Sequence, residues 1–267
     1  MMRTLVLALV VVPVTAYYVL RVFWGAVKGG PDLGCVCDWV PRKWAKILLR
    51  VAGVRVVLEN EREIDRNRPQ IIVANHVSWF DVLALAAYTP GRYLFVAKKE
   101  IRKVPLFGRA AEACGHIYID RQDRQSALAS LESAREKLGD EAPTVIMFPE
   151  GTRSETGELQ PFKKGAFVLA IQAGADVVPV AIRGSRHVMP KHSLRVRPGT
   201  ITVRFGRAIP AAEYPLERRD ELIERSREAL AALLQVPAQP APREASPKSA
   251  NPEGANPENA NPTNPNP

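Results

Sequence analysis

A layered α/β domain, built on a largely parallel central sheet flanked by helices and led by an N-terminal membrane-associated helical segment, is what these 267 residues predict. Three observations point there. Short β-rich runs alternate with segments of helical period from residue 53 to residue 234. Two polar motifs directly follow such runs, and loops at strand carboxyl ends carry the chemistry of sheets of this kind. An uncharged apolar run with cations crowded behind it opens the chain.

Residues 1–50 form the membrane-associated segment. Thr4 to Leu20 is 17 residues without a charge, interrupted by Pro13 and Thr15. A full span needs about 20 apolar residues, so spanning and lying at the interface are both open. Val14-Thr15-Ala16 also offers small residues for a cleavage site, which makes a removed signal peptide the third reading. Lys28, Arg42, Lys43, Lys46 and Arg50 follow the run, whereas only Arg3 and the amino terminus precede it. That bias places the downstream domain on the cytoplasmic side of the inner membrane. Trp39 to Leu58 mixes apolar residues with four of those cations and reads as an interfacial helix entering a strand.

Residues 51–236 form the catalytic domain. Gly53–Glu59 and Ile71–Ala74 are strands, and Asp81–Tyr88 is a helix stopped by Pro90-Gly91. Tyr93–Ala97 is again a strand. Arg124–Leu138 sets Leu128, Leu131, Ala134 and Leu138 on one helical face. Thr144–Phe148 is a strand, and Gly165–Ala173 a helix with Gly174 just past its end. Val177–Ile182 and Thr200–Phe205 are strands, and Leu216–Leu234 is a last amphipathic helix. Residues 237–267 hold 9 of the 23 prolines and no aromatic, Ile, Leu or Met. Such a tail cannot bury enough apolar surface to offset its ordering entropy and is expected to be disordered.

The net charge of +9 resides outside that tail, which itself nets −1. Cations flanking apolar sequence fit anionic lipid headgroups, and no nucleic-acid-binding signature is present. Cys35 and Cys37 are one residue apart, which is neither a redox CxxC nor zinc spacing, and Cys114 has no activating sequence neighbour. The three read as reduced thiols in a cytoplasm-facing protein. No metal-ligand spacing is visible. His116, His187 and His192 read as structural or surface residues.

The first motif is NHVSWFD, residues 75–81, in which His76 precedes Asp81 by five. On one regular helix these two would be rotated roughly 140° apart and would not meet. With His76 ending a strand and Asp81 opening a helix, the turn returns the carboxylate to the imidazole. The carboxylate then sets the tautomer and leaves the other ring nitrogen to take a proton. Ser78 lies inside the motif, but no GxSxG nucleophile elbow exists, so a substrate hydroxyl activated by His76 is preferred over an acyl-enzyme. The second motif is FPEGTRS, residues 148–154. Gly151 permits close backbone approach, Arg153 can grip a phosphate in two-pronged fashion, Thr152 adds a hydroxyl, and Glu150 can accept from a polyol. Lys98 and Lys99 lie in a third polar cluster. Arg121, after a short β-rich run, is either a second phosphate ligand or a structural ion pair. Each motif alone also fits a polar turn or a structural pair.

The ordered set NHVSWFD, GHIYIDR, FPEGTRS and VVPVAI resembles the four blocks of the glycerolipid acyltransferases, over roughly residues 40–210, and most closely those acting on 1-acyl-sn-glycerol 3-phosphate. Tyr118 stands where Phe is commoner in that family, with Gly115 and Arg121 in place. The resemblance implies acyl transfer from acyl-CoA or acyl-carrier protein to the sn-2 hydroxyl of lysophosphatidic acid, with no cofactor beyond the donor. It implies His76 as base, Asp81 as its orienting partner, and Arg121, Glu150, Gly151 and Arg153 as the acceptor site, with help from Lys98 or Lys99. Another lysolipid acceptor such as a lyso-ornithine lipid, a thioesterase, and a non-catalytic membrane scaffold are the competing readings.

Overall fold

The computed structural model describes residues 2–28, 31–120, 123–138 and 144–235. Arg121 and the tail 237–267 lie outside the described residues. Two helices lead the chain, α1 (Met2–Lys28) and α2 (Pro31–Ala52). The domain then runs β1 (Val54–Glu59), β2 (Gln70–Ala74), α3 (Trp79–Tyr88), β3 (Tyr93–Lys98), α4 (Phe107–Ala113), β4 (Ile117–Ile119) and α5 (Arg124–Lys137). It closes with β5 (Thr144–Met147), α6 (Gly165–Ala173), β6 (Asp176–Arg183), the one-turn α7 (Ser185–Val188), β7 (Gly199–Phe205) and α8 (Arg219–Gln235). The last helix starts later than its apolar period implies, because Leu216–Arg218 form a separate 3-10 turn behind Pro215. Gly174 ends α6 with φ 59°, the left-handed conformation that a residue without Cβ adopts at least cost.

The seven strands lie in the order β1-β7-β6-β2-β5-β3-β4. The five from β6 to β4 are mutually parallel; β7 runs antiparallel to β6, and β1 follows β7. Strands β2 and β5 are buried at every position, as expected of central strands covered on both faces. Alternate side chains separate into two cores. Ile72, Ala74, Ile146 and Val178 face α2 and α3, while Ile71, Val73, Val145 and Val177 face α5, α6 and α8.

The N-terminal helices pack on each other and on the domain. Tyr18, Val19 and Val22 of α1 and Val40 of α2 bury against Ala110 and Cys114 at α4. Trp44 Nε1 donates to Thr15 Oγ1 at 3.0 Å, and the Val196 amide donates to Thr4 Oγ1 at 3.1 Å. The opposite face of α1 leaves Leu5, Leu9, Val12, Leu20 and Trp24 exposed. Among the described residues, the helix Arg3–Lys28 alone is long and apolar enough to cross a membrane.

The same packing corrects the reading of three reduced thiols. Cys37 and Cys114, 77 residues apart, are joined in a disulfide with their Cα atoms 5.2 Å apart. No sequence neighbour betrays this pair, since it forms only where α2 meets the end of α4. The helix α4 was also hidden from periodicity, being seven residues long and opening right after Pro105-Leu106.

Candidate active site

The strand order brings the two motifs together. NHVSWFD leaves the carboxyl end of β2, FPEGTRS that of β5, and these strands are neighbours with Val73 opposite Met147. Three residues beyond that register on each strand, the His76 amide donates to Oε1 of Glu150 at 2.7 Å. The Ser154 amide in turn donates to the His76 carbonyl at 2.7 Å. The imidazole stacks on Phe148 with ring centroids 4.1 Å apart. Asn75 fixes the other side, its amide accepting from and donating to the Ile182 backbone at 2.7 and 2.9 Å. This side chain does for β2 and β6 what a further rung of the ladder would, and sequence reading gave it no role.

His76 and Asp81 meet as the strand–turn–helix reading expects. Nδ1 of His76 lies 2.9 Å from Oδ2 of Asp81. The same oxygen accepts from the amides of Val77 and Ser78 at 2.7 and 2.8 Å. A carboxylate holding two backbone donors accepts a third from the ring, so Nδ1 carries the hydrogen and Nε2 holds the free lone pair. Asp81 is fully buried while the His76 side chain is 14% exposed, which leaves the ring within reach of a ligand. The other Asp81 oxygen, Oδ1, is buried without a hydrogen-bond partner. Ser78 is the helix cap: its Oγ accepts from the Phe80 amide at 3.2 Å and donates to the Met189 carbonyl at 2.7 Å. Buried and committed in this way, that hydroxyl is not presented as a nucleophile.

Glu150 is placed differently from a polyol ligand. Its side chain is buried, with Oε1 on the His76 amide and Oε2 on the Gln160 amide at 3.0 Å. Burial pushes its carboxyl up to about 7, against the lowering pull of those two amides. It braces the FPEGTRS turn onto the end of β2. Gly151 takes φ 77°, which a side chain would strain. Thr152 is exposed at the surface of the turn.

Arg153 is in no ion pair among the described residues; its guanidinium instead lies 5.0 Å above the ring of Trp79. Trp79 is 47% exposed although its neighbour Phe80 is buried. An aromatic held out at the first position of α3, three residues after His76, forms a cation platform. The sequence signal was there in the adjacent Trp-Phe pair, only one of which a helix opening onto a core can bury.

Lys98 ends β3 and Lys99 opens the 3-10 turn that follows it, and both are occupied. Lys98 pairs with Glu100 at 3.1 Å and Lys99 with Asp120, whose hydrogen bond holds the ammonium pKa above its usual value. His116 is partly buried, its Nδ1 accepting from the Phe95 amide at 3.1 Å and its pKa pushed down to about 4 by desolvation. His187 and His192 are exposed. Two surface cavities along α8, against Tyr214 and Arg225 and against Pro179 and Leu233, are lined by none of the candidate residues.

Residues 55–183 match the family model described as acyltransferase. A 1-acyl-sn-glycerol-3-phosphate acyltransferase of Chlamydomonas reinhardtii is 36% identical over 169 residues, which are 63% of this chain and 49% of that protein. The lyso-ornithine lipid O-acyltransferase of Rhizobium meliloti is 33% identical over 57% of this chain and 49% of its own. The chain thus spans about half the length of these two curated relatives. The crystal structure of the 1-acyl-sn-glycerophosphate (LPA) acyltransferase PlsC from Thermotoga maritima superposes with a TM-score of 0.71 at 26% identity, over 89% of this chain and 97% of that one.

Proposed function

The chain belongs to the acyltransferase family through residues 55–183, and on that premise we propose that it transfers a fatty acyl group to the sn-2 hydroxyl of lysophosphatidic acid, giving phosphatidic acid. The single observation that carries this reading is a proton-accepting imidazole, fixed by Asp81, in a residue whose carbonyl takes the amide of Ser154, next to Arg153, an arginine that no described carboxylate occupies. Hydrolysis by the same His76 needs no anion-binding group beside it, which disfavours a thioesterase. A scaffold has no use for a buried carboxylate on a half-buried imidazole.

In the proposed reaction Nε2 of His76 takes the proton of the acceptor hydroxyl as its oxygen attacks the thioester carbonyl of the donor, acyl-CoA or acyl-carrier protein. The C–O bond forms, the C–S bond breaks, and the thiolate leaves and receives the proton from the imidazolium. Asp81 stabilises that imidazolium, and its unpartnered Oδ1 leaves carboxylate charge in the core for the transient cation to offset. Arg153, spread on Trp79, holds the acceptor phosphate. Thr152 and Gly151 give that turn its hydroxyl and its close approach, Glu150 positions the turn, Lys98 and Lys99 add positive potential along the edge, and Arg121, outside the described residues, is proposed as a second phosphate ligand.

Purified protein given labelled acyl-CoA with lysophosphatidic acid or lyso-ornithine lipid tests the acceptor. Phosphatidic acid as the main product supports the proposal. Preference for the ornithine lipid overturns it in favour of the acceptor named for the Rhizobium relative, and thiol release without a lipid acceptor turns it to hydrolysis.

Residues 1–50 are proposed as the membrane anchor of a catalytic domain covering 51–236 on the cytoplasmic side of the inner membrane. Because α1 contacts the domain from Thr4 to Val22, a helix lying along the interface keeps these contacts better than one crossing the bilayer. The Cys37–Cys114 bond is unusual for a reducing compartment. Thiol trapping in intact cells decides the side, a reduced pair according with the cytoplasm and an oxidised pair with the opposite face.

A further inference from the structure

We infer that the loops 99–106 and 184–198 form a second lipid contact, which seats the candidate active site on an anionic bilayer; only the identity of the substrate in its test rests on the acyltransferase reading. Both loops leave the carboxyl edge of the sheet, one after β3 and one after β6. In the order β6-β2-β5-β3 they bracket the two strands that carry His76 and Glu150.

Each loop combines an apolar tip with cations. Residues 184–198 contain Arg186, Lys191, Arg195 and Arg197 and no Asp or Glu, and their tip, Leu194, is 86% exposed. Two residues on, Val196 is buried and its amide bonds Thr4 in α1, so Leu194 projects from an anchored backbone. Arg195 and Arg197 enter no ion pair among the described residues. In the other loop Val104 and Leu106 are 45% and 56% exposed between Lys103 and Arg109. Leu106 sits at φ 60°, a conformation in which a branched apolar side chain is strained.

One exposed leucine on a protein surface calls for no explanation. Two such tips, flanked by cations and on either side of one catalytic edge, do. The helix α1 connects them: Thr4 touches the loop after β6, while Tyr18 and Val22 pack on α4, which continues the loop after β3. The exposed apolar face of α1 therefore runs between the tips, about 40 Å for its 27 residues. An acidic protein surface matches the cations but leaves the tips and that face in water. An anionic membrane takes all three, each cation strengthening partition by about fivefold.

The test uses the full chain reconstituted in phosphatidylcholine vesicles containing phosphatidylglycerol. Leu194→Cys and Val104→Cys are labelled with an environment-sensitive fluorophore, and signal from native Cys35 is subtracted using the unsubstituted protein. Emission shifted to the blue and quenched by a lipid-borne spin label at both positions is expected. A probe left in water at either position overturns the proposal, and a probe shielded only on adding an acidic carrier protein assigns the surface to a protein instead. The double variant Arg195→Glu/Arg197→Glu is expected to lose about tenfold or more in kcat/KM on vesicle-borne lysophosphatidic acid. Its turnover of a short-chain, monomeric lysophosphatidic acid is expected to stay unchanged. Equal loss on both substrates makes the loop merely structural, and no loss on either also overturns the inference. Should the unsubstituted chain acylate no lysolipid at all, the acyltransferase reading fails, and probe depth alone then decides the surface.

Discussion

The His76 half of the site and its Arg153 half are built on opposite plans. Around His76 almost every polar atom is committed inside the protein: Asp81 to the ring and two amides, Glu150 to two more, Ser78 to a cap and a carbonyl. Around Arg153 the defined partner among the described residues is an exposed aromatic face. The first half holds a proton acceptor at fixed geometry before any ligand arrives, which is what proton transfer requires. The second leaves a guanidinium's donors free, which is what capturing a phosphate requires. Reactivity is bought with rigidity on one side, and recognition is kept available by openness on the other.

Substitutions separate the two halves. His76→Ala is expected to lower kcat by roughly 10²–10⁴-fold with the melting temperature nearly unchanged. Asp81→Asn is expected to cost a similar factor, through loss of the tautomer that frees Nε2. A fully active His76→Ala enzyme would remove the base from the scheme.

Glu150 links the halves and provides a test in pH. Its folded pKa of about 7 lies above its ordinary value of 4.5, so the stability it contributes is fully present below about pH 4.5 and is lost as pH rises toward 7. The shift corresponds to about 3 kcal/mol across that window. Glu150→Gln is expected to flatten the fall in denaturation midpoint between about pH 5 and pH 8 relative to the parent protein. An unaltered slope would show that the carboxyl titrates normally and that its burial is not felt.

On the open side, Arg153→Ala is expected to raise the acceptor KM by about 10–100-fold, the value of a charge-assisted bond, with the donor KM unmoved. Equal losses for donor and acceptor would make the arginine structural and erase the division between the halves. Ser78→Ala should lose about 1–2 kcal/mol of stability in urea titration while keeping its turnover. A folded but dead Ser78→Ala protein would instead point to an acyl-enzyme. The smallest effect is expected for Trp79→Ala, an acceptor KM about two- to fivefold higher, since an exposed cation–π contact is weak. If Trp79→Phe restores the parent value, the ring acts as a platform rather than as bulk.

Much of this was legible from local pattern. The continuous apolar runs of β2 and β5 read as strands, and a helix was expected from Asp81, which the Ser78 cap starts two residues earlier at Trp79. The pairing of His76 with Asp81 follows from that start alone, because the capping turn is made by adjacent residues. Glu150 was legible as a candidate site residue but not in its contacts. Which atoms its carboxylate meets depends on β5 lying beside β2, although β3, β4 and α5 separate them in sequence. Cys37 and Cys114 show the same limit, as do Lys98 and Lys99, whose partners Glu100 and Asp120 no spacing rule singles out.

By itself, then, the chain's order of residues determined its alternation of strands and helices, its apolar leader and the imidazole–carboxylate pair, since each arises from contacts within a few residues. Only the tertiary structure decided that β2 and β5 are neighbours, that Glu150 faces inward to two amides, and that Arg153 rests on Trp79 with its charge unspent. Those outcomes depend on strand order and on the packing of helices against both sheet faces. Contacts between distant segments are won by shape and burial across the whole domain, and no local pattern carries that information.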